Sequence, residues 1–153
     1  MGNSLRIVPV SRANFSSLPF LISKLADYEH LKGPAKAAKA RLKRHCLGRK
    51  PKFEAYLALD GGTPVGYVLF FQAYSSFLAR PTLFLEDLFV LKEHRGKGVG
   101  RKLFEFCIRR ARRRKCGRMD FTVLDWNARA MDFYKRHGAK DTGWKYWRIS
   151  FAD

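Results

Sequence analysis

The sequence has few cysteines, and their spacing excludes two classes of protein. Cys46, Cys107 and Cys116 form no CxxC pair, and an odd number leaves one thiol unpaired in any disulfide scheme. Neither a disulfide framework nor a paired Cys/His metal site is therefore expected, and we predict no metal. A reduced protein of the cytoplasm is the simplest interpretation.

Long apolar runs are also missing. No stretch approaches the ~20 apolar residues that span a bilayer, and the start MGNSLRIVPV lacks the apolar region of a secretory signal peptide. We therefore expect no membrane segment. A hydrophobic content of 46% over 153 residues is nevertheless enough for a globular core, and we predict one domain over residues 1–153.

Acidic residues are scarce relative to basic ones. Only 13 Asp and Glu oppose 31 Lys and Arg, which gives a formal net charge of +18. Such a field attracts anions, whether nucleic acid, an acidic protein surface or a polyphosphate cofactor. The basic excess lies in residues 32–52 and 109–118. For each segment, a solvated helix face is the alternative to contact with RNA, a ribosome or an acidic protein.

Glycines, in contrast, are concentrated in one short stretch, HRGKGVGRKL. It follows an apolar run typical of a buried strand and precedes helical spacing, so its backbone N–H groups and a helix N-terminus predict an anion site. The Walker phosphate loop is excluded because Gly98 follows Lys97 where Ser or Thr is needed. The dinucleotide fingerprint is excluded because the glycines stand at 96, 98 and 100.

The periodicity along the chain predicts alternating strands and helices with no repeat or linker. Together they indicate an α/β domain, of the α+β type, around a central, mostly antiparallel sheet. The predicted strands are 5–10, 53–60, 64–74, 83–91, 119–126 and 143–151. The predicted helices are 15–30, 34–47, 99–114 and 127–138. Ser16 or Ser17 caps the first, Asn127 caps the last and Gly138 ends it, while 34–47 is alternatively a mobile lid. The inner stripe of 99–114 is Val99, Leu103, Phe106, Cys107 and Ala111.

Two longer stretches, FLEDLFVLKEHRGKGVGRKL and TVLDWNARAMDFYKRHGA, resemble the GNAT superfamily of N-acetyltransferases. Its signature is R-x-x-G-x-G after a strand, followed by a helix with N…FY-K-[RK]-x-G. Within it, LED-hydrophobic-FV, WN-x-x-x-x-x-FYKR-x-GA and KLADYEH are most similar to the spermidine/spermine (diamine) and thialysine acetyltransferase group. The resemblance implies the GNAT fold, a twisted sheet flanked by helices that binds acetyl-CoA at a splayed strand pair. It also implies a homodimer.

For the cofactor, the resemblance implies that the glycine loop wraps the pyrophosphate of acetyl-CoA with backbone N–H groups. The preceding strand pairs with the pantetheine arm, and the last helix supplies further contacts. The implied cofactor-binding residues are Leu88, Phe89, Val90, Arg95, Gly96, Lys97, Gly98, Val99, Gly100, Arg101, Asn127, Ala128, Arg129, Ala130 and Arg136.

For catalysis, the resemblance implies direct attack of an amine on the thioester. An alkylamine with a pKa near ~10 must first lose a proton. Glu86 is the implied base, acting directly or through a water, and we expect its apolar strand to bury it and raise its pKa. Tyr134 is the implied acid for the departing thiolate. No role is assigned to Asp87.

The acceptor is less well defined than the cofactor. Tyr28, Glu29, Glu86, Asp120, Phe121 and Thr122 match substrate-binding positions of the polyamine enzymes. However, Ser76 and Leu78 stand where these relatives carry an acidic residue near an aromatic one. Three interpretations stay open: an acetyltransferase of a small polyamine, diamine or thialysine-like amine; one of a protein lysine or N-terminus; and an RNA- or ribosome-binding module that keeps the fold as a scaffold.

Overall fold

The structure is a computed structural model that describes residues 4–151. The chain folds into a larger unit that ends at Asp120 and a smaller one that begins at Phe121. Along the chain the elements are β1 (Leu5–Pro9), α1 (Ser17–Tyr28), α2 (Lys36–Leu47), β2 (Glu54–Asp60), β3 (Thr63–Ser75), β4 (Arg80–Val90), a 3-10 turn (Lys92–His94), α3 (Val99–Arg113), β5 (Met119–Asp120) and α4 (Ala128–Arg136).

The larger unit contains a five-stranded sheet in the order β1-β2-β3-β4-β5. Its strands are antiparallel except for the β4/β5 pair, which is parallel. A two-residue turn connects β2 to β3, and Gly61 and Gly62 adopt φ values of +56° and +87° there. Only a residue without Cβ takes such values at little cost, so the turn follows directly from the sequence. The predicted mixed, mostly antiparallel sheet is confirmed.

Buried side chains of the sheet and of α1 form the main core. Leu57 and Tyr67 of the sheet, with Leu18 and Leu21 of α1, are 0% exposed and belong to one cluster. Each buried side chain of this size contributes roughly 1.5–3 kcal/mol of transfer free energy. Ser16 precedes α1 as its N-cap residue, as predicted, but makes no side-chain capping hydrogen bond.

Helix α3 packs its apolar side as the spacing predicts, with one correction. The predicted inner stripe included Phe106, but Phe104 is the buried phenylalanine, at 2% exposure, and Phe106 is only half-buried. Phe106 instead lies against Tyr56 of β2, with ring centroids 4.6 Å apart. The side chains that α3 buries are Val99, Leu103, Phe104, Cys107 and Ala111.

Helix α2 confirms that the lysine-rich segment is helical. It turns Cys46 inward, with Leu42 packed against the same core, and leaves its lysines exposed. All three cysteines carry free thiols. Within residues 4–151, no helix is both long enough and apolar enough to span a membrane.

In the smaller unit, α4 has the predicted ends. The Asn127 side chain accepts a hydrogen bond from the Ala130 N–H at 3.2 Å, and Gly138 ends the helix region with φ +89°. Two strand predictions are wrong: the strand expected over 119–126 stops at Asp120, and 143–151 forms no strand. Alternation alone does not make a strand, because another strand must accept its hydrogen bonds. No strand in the described part of the chain pairs with 143–151.

Candidate active site

The glycine loop connects β4 to α3 and has the backbone geometry of an anion site. Gly96 and Gly98 take φ values of +74° and +82°, and Gly98 is the N-cap residue of α3. Apart from its chain neighbours, a Cβ on either glycine would meet no heavy atom of the described chain within 4 Å. The Lys102 N–H reaches the Gly98 carbonyl at 3.1 Å, so the N–H groups of the preceding helical residues have no acceptor inside α3. Open space beside such donors is compatible with a bound pyrophosphate.

Arg95 opens this loop but its side chain turns back towards the sheet. Its Nε donates to the Val90 carbonyl at 2.9 Å. Its guanidinium lies 4.6 Å from the ring centroid of Tyr28 and 5.5 Å from that of Phe89. These cation–π contacts connect the start of the loop to the end of α1. The predicted cofactor residue Arg95 and the predicted acceptor residue Tyr28 are therefore in contact.

Strand β4 has one paired edge and one largely open edge near the loop. Leu88, Phe89 and Val90 pair with β3, opposite Val68, Tyr67 and Gly66. On the other edge, β5 pairs only with Leu83 and Phe84. No further strand pairs with the stretch 85–90 in the part of the chain that the structure describes. This open backbone edge is suited to a ligand that adds like a strand, as expected for the pantetheine arm.

Glu86 lies at a register break of β4. Asp87 is opposite Leu69 and Leu85 is opposite Phe70, so Glu86 is the extra residue of a β-bulge. Its side chain is exposed, whereas Leu85 is buried. The expectation that an apolar strand buries Glu86 is therefore wrong, because the bulge breaks the alternation and turns this carboxylate to solvent.

Three carboxylates form an acidic cluster, which we define as Glu29, Glu86 and Asp87. Burial raises the pKa of Glu29, which follows α1, and the charge of Glu86 raises it further. Burial also raises the pKa of Asp87 to about 6, against a hydrogen bond from Tyr67 that lowers it, and the charges of Glu86 and Glu29 add to the rise. The charge of Glu86 thus acts on both Glu29 and Asp87, which places the end of α1 and β4 on one site.

Asp87 and Tyr67 are the residues that the sequence interpretation did not assign. The Tyr67 hydroxyl donates to Asp87 Oδ2 at 3.0 Å. Burial raises the pKa of Tyr67 well above its usual range, and the charge of Asp87 raises it further. A tyrosine in an apolar strand needs a hydrogen-bond partner, which is a usable signal. Which of two adjacent carboxylates is buried could not be inferred, since the bulge decides it.

Asp120 is already paired with a cation. The Arg118 Nε donates to Asp120 Oδ2 at 2.8 Å, and both side chains are partly exposed. Part of the negative charge that the sequence offered to a cationic acceptor is therefore neutralised by a neighbour in the chain.

The smaller unit carries the remaining predicted site residues. The Tyr134 ring lies 4.3 Å from Phe121 and 5.3 Å from Phe133 between centroids, and the side chain is half-buried. Within this unit, the structure thus brings together the predicted acid and one predicted acceptor residue. The other predicted residues of the unit are the exposed Thr122, Ala128, Arg129 and Arg136, and the half-buried Asn127 and Ala130.

Comparison with known families shows which family the chain belongs to. The sequence profile of the Acetyltransferase (GNAT) family matches residues 20–139. The chain belongs to this family. It is therefore an acetyltransferase, and acetyl-CoA is its cosubstrate, as the sequence predicted.

Individual relatives agree with this assignment. The thialysine N-epsilon-acetyltransferase of Bos taurus is 35% identical over 141 residues, covering 84% of this chain and 82% of the relative. The L-ornithine N5-acetyltransferase of Arabidopsis thaliana is 39% identical over 84 residues, 55% of this chain and 36% of the relative. The structure of AAC(6')-Iy with the bisubstrate analogue CoA-S-monomethyl-acetylneamine superposes with a TM-score of 0.80 at 18% identity, covering 97% and 99%. That similarity confirms the GNAT fold.

Proposed function

We propose that the protein transfers the acetyl group of acetyl-CoA to the primary amine of a small cationic acceptor, namely a polyamine, a diamine or a thialysine-like amino acid. The observation that carries this proposal is the acidic cluster in a chain of net charge +18. Long-range repulsion by that charge is screened over ~8 Å at physiological salt, so nearby carboxylates dominate the attraction of an ammonium group. The names of the thialysine and ornithine relatives support this class of acceptor.

Acetyl-CoA supplies an acetyl group activated as a thioester. We assign its pyrophosphate to the backbone of the glycine loop, residues 95–101, and its pantetheine arm to the open edge of β4 at residues 88–90. The helix dipole of α3 adds positive potential at the loop. In the smaller unit, Arg129 and Arg136 are exposed cations for further contacts, and residues 127–130 form the start of α4.

Glu86 is the proposed base. Its exposed carboxylate removes the proton of the acceptor ammonium directly or through a water, which leaves the amine lone pair available for attack. The β-bulge orients this side chain away from the core, as bulges near active sites often do. Glu29 and Asp87 attract the acceptor as neighbouring negative charges, and Tyr28 is the last residue of α1, directly before Glu29.

Tyr134 is the proposed acid. Its hydroxyl delivers a proton to the sulfur that leaves as the carbon–sulfur bond breaks, so that CoA departs as a thiol. The ring contacts with Phe121 and Phe133 restrict the rotamers of Tyr134 and hold its hydroxyl in place.

We further propose a homodimer in which the segment 143–151 is covered by a second copy. Trp144, Trp147, Ile149 and Phe151 are 81–89% exposed, and an accumulation of large exposed apolar side chains marks an interface. Analytical ultracentrifugation tests it: the wild type should sediment as a dimer and Trp144→Ser with Trp147→Ser as a monomer. A monomeric wild type would reject the dimer without affecting the acceptor proposal.

A second candidate acceptor is a lysine or N-terminus of an acidic protein, which the net charge of +18 would attract. A CoA-release assay separates the candidates, using polyamines, diamines, thialysine and ornithine beside acidic and basic peptides. We expect the small amines to have the higher kcat/KM. Acetylation of peptides alone would reject the small-amine proposal, and no acetyl transfer to any acceptor would favour a scaffold without activity.

A further inference from the structure

The two basic segments, far apart in sequence, converge on one part of the larger unit. Arg114, directly after α3, forms a two-pronged ion pair with Glu54, the first residue of β2, with Arg114 Nη2 and Glu54 Oε1 2.8 Å apart. The Lys52 N–H donates to the His45 carbonyl at 2.8 Å, which folds the loop before β2 onto the end of α2. These interactions form a path around the start of β2. Helix α2 packs on the side of the strand that carries Ala55 and Leu57, and α3 packs on the opposite side, against Tyr56.

A basic cavity lies at the α2 end of this path. Arg12, Lys43, Arg44, Leu47 and Gly48 line a volume of about 300 Å³. Three of its five lining residues are cations and none is acidic. A concavity with this lining favours an anion of the size of a phosphate and its sugar.

The arginines at the α3 end are held by aromatic side chains. The Arg110 guanidinium lies 5.2 Å from the Tyr56 ring centroid and 5.1 Å from that of Phe106, and Arg114 lies 5.8 Å from Phe70. These contacts occupy the Arg110 and Arg114 guanidinium groups and hold the end of α3 against β2 and β3. Arg113 and Lys115 on either side of Arg114 are exposed.

The chemistry of the surface favours a nucleic acid over a protein. Protein interfaces have an apolar core with a few large anchors. Among the described residues, no large apolar side chain is exposed within 32–52 or 109–118. Several exposed cations with few such anchors match the repeated phosphates of a nucleic-acid backbone.

We propose that this basic surface, defined as Arg12, Lys43, Arg44, Lys52, Arg113 and Lys115, binds the sugar-phosphate backbone of nucleic acid. Base identity contributes little, because phosphate contacts carry no sequence information. The surface shares no residue with the set proposed for acetyl transfer.

Fluorescence anisotropy with a labelled oligo-U RNA tests the surface, in saturating acetyl-CoA so that the glycine loop is occupied. The test variant combines Lys52→Glu with Arg113→Glu, one residue from each segment. The control combines Arg6→Glu with Lys140→Glu, which changes the net charge equally at exposed residues that are not part of this surface. We expect the test variant to bind about tenfold more weakly than the control, with a shallower dependence of log K on log salt.

Each outcome bears on the proposal. If oligo-dT binds as tightly as oligo-U, the surface recognises the phosphate backbone that DNA and RNA share. If oligo-U binds more tightly, the ligand of the surface is RNA. If the test and control variants lose the same amount of oligo-U affinity, the proposed surface is wrong, because net charge alone would then explain binding. If polyglutamate at equal charge concentration displaces oligo-U, the proposal of a nucleic-acid ligand is overturned in favour of an acidic protein. Circular dichroism and CoA release with a small amine show whether the variants stay folded.

Discussion

The acidic cluster and the basic surface differ most in how much water reaches their charges. In the cluster, burial is the largest cause of the raised pKa of Glu29 and of Asp87, and each charge acts on its neighbours. On the basic surface most side chains are exposed, and their charges act together as a field. Burial of two carboxylates thus raises their pKa values locally in a protein whose overall charge is strongly positive.

The largest expected effect comes from the exposed member of the acidic cluster. Glu86→Gln removes the proposed base and should lower kcat by about 10²-fold to 10³-fold, while the affinity for acetyl-CoA stays unchanged. Steady-state kinetics with a small amine measures both. Glu93→Gln, an exposed glutamate of the 3-10 turn, is the matched control. If both variants turn over like the wild type, Glu86 is not the base.

Asp87 should make stability depend on pH. Its pKa is about 6 when folded, against an ordinary 3.8, so the folded state holds the proton more tightly. The stabilisation is present below pH ~4 and is lost as pH rises through ~6. Relative to the wild type, Asp87→Asn should therefore gain on the order of 2 kcal/mol of unfolding free energy between pH ~4 and ~7.

Urea unfolding at a series of pH values measures this difference. Tyr67→Phe removes the hydrogen bond that lowers the pKa of Asp87 and should enlarge the pH dependence. A difference between Asp87→Asn and the wild type that does not change with pH would show that Asp87 titrates like a solvated carboxylate.

A smaller effect is expected where the basic segments meet. Glu54→Gln breaks the ion pair with Arg114, whose side chains are 35% and 31% exposed. Such a partly solvated pair contributes about 1 kcal/mol to folding. Thermal unfolding of Glu54→Gln beside Asp125→Asn, an exposed carboxylate in the smaller unit, measures it. Equal shifts in the two variants would mean that the pair does not hold the segments together.

The smallest effect is expected when the basic surface is changed and small-amine acetylation is measured. Lys52→Glu with Arg113→Glu should alter the KM of a small amine by less than about twofold, because salt screens exposed charges beyond ~8 Å. Steady-state kinetics at physiological salt gives this value. A tenfold fall in KM would show that the basic field controls acceptor capture, and the two regions would then not be independent.

Local features of the fold followed from the sequence. The glycine loop between β4 and α3 and the Asn127 cap were both predicted, because each depends on a few neighbouring residues. Hydrophobic spacing likewise predicted the helices to within a few residues, because it reports which side is buried.

Features that depend on contacts between distant segments could not be predicted from the sequence. The bulge at Glu86, the Tyr67 hydrogen bond and the Arg114–Glu54 pair arise from contacts between separate elements. The alternation of 143–151 indicated a strand, yet a strand also requires a partner. The catalytic and binding roles, the cytoplasmic location and the single domain over 1–153 stay predictions.

We propose that the acidic cluster selects a small acceptor with a second positive charge. CoA release should be compared for a diamine and for the monoamine of the same chain length, with the wild type and with Glu29→Gln. We expect the wild type to prefer the diamine in kcat/KM by about tenfold or more, the size of one charge-assisted hydrogen bond, and Glu29→Gln to lose most of this preference. Equal kcat/KM for the two amines in the wild type would contradict the claim.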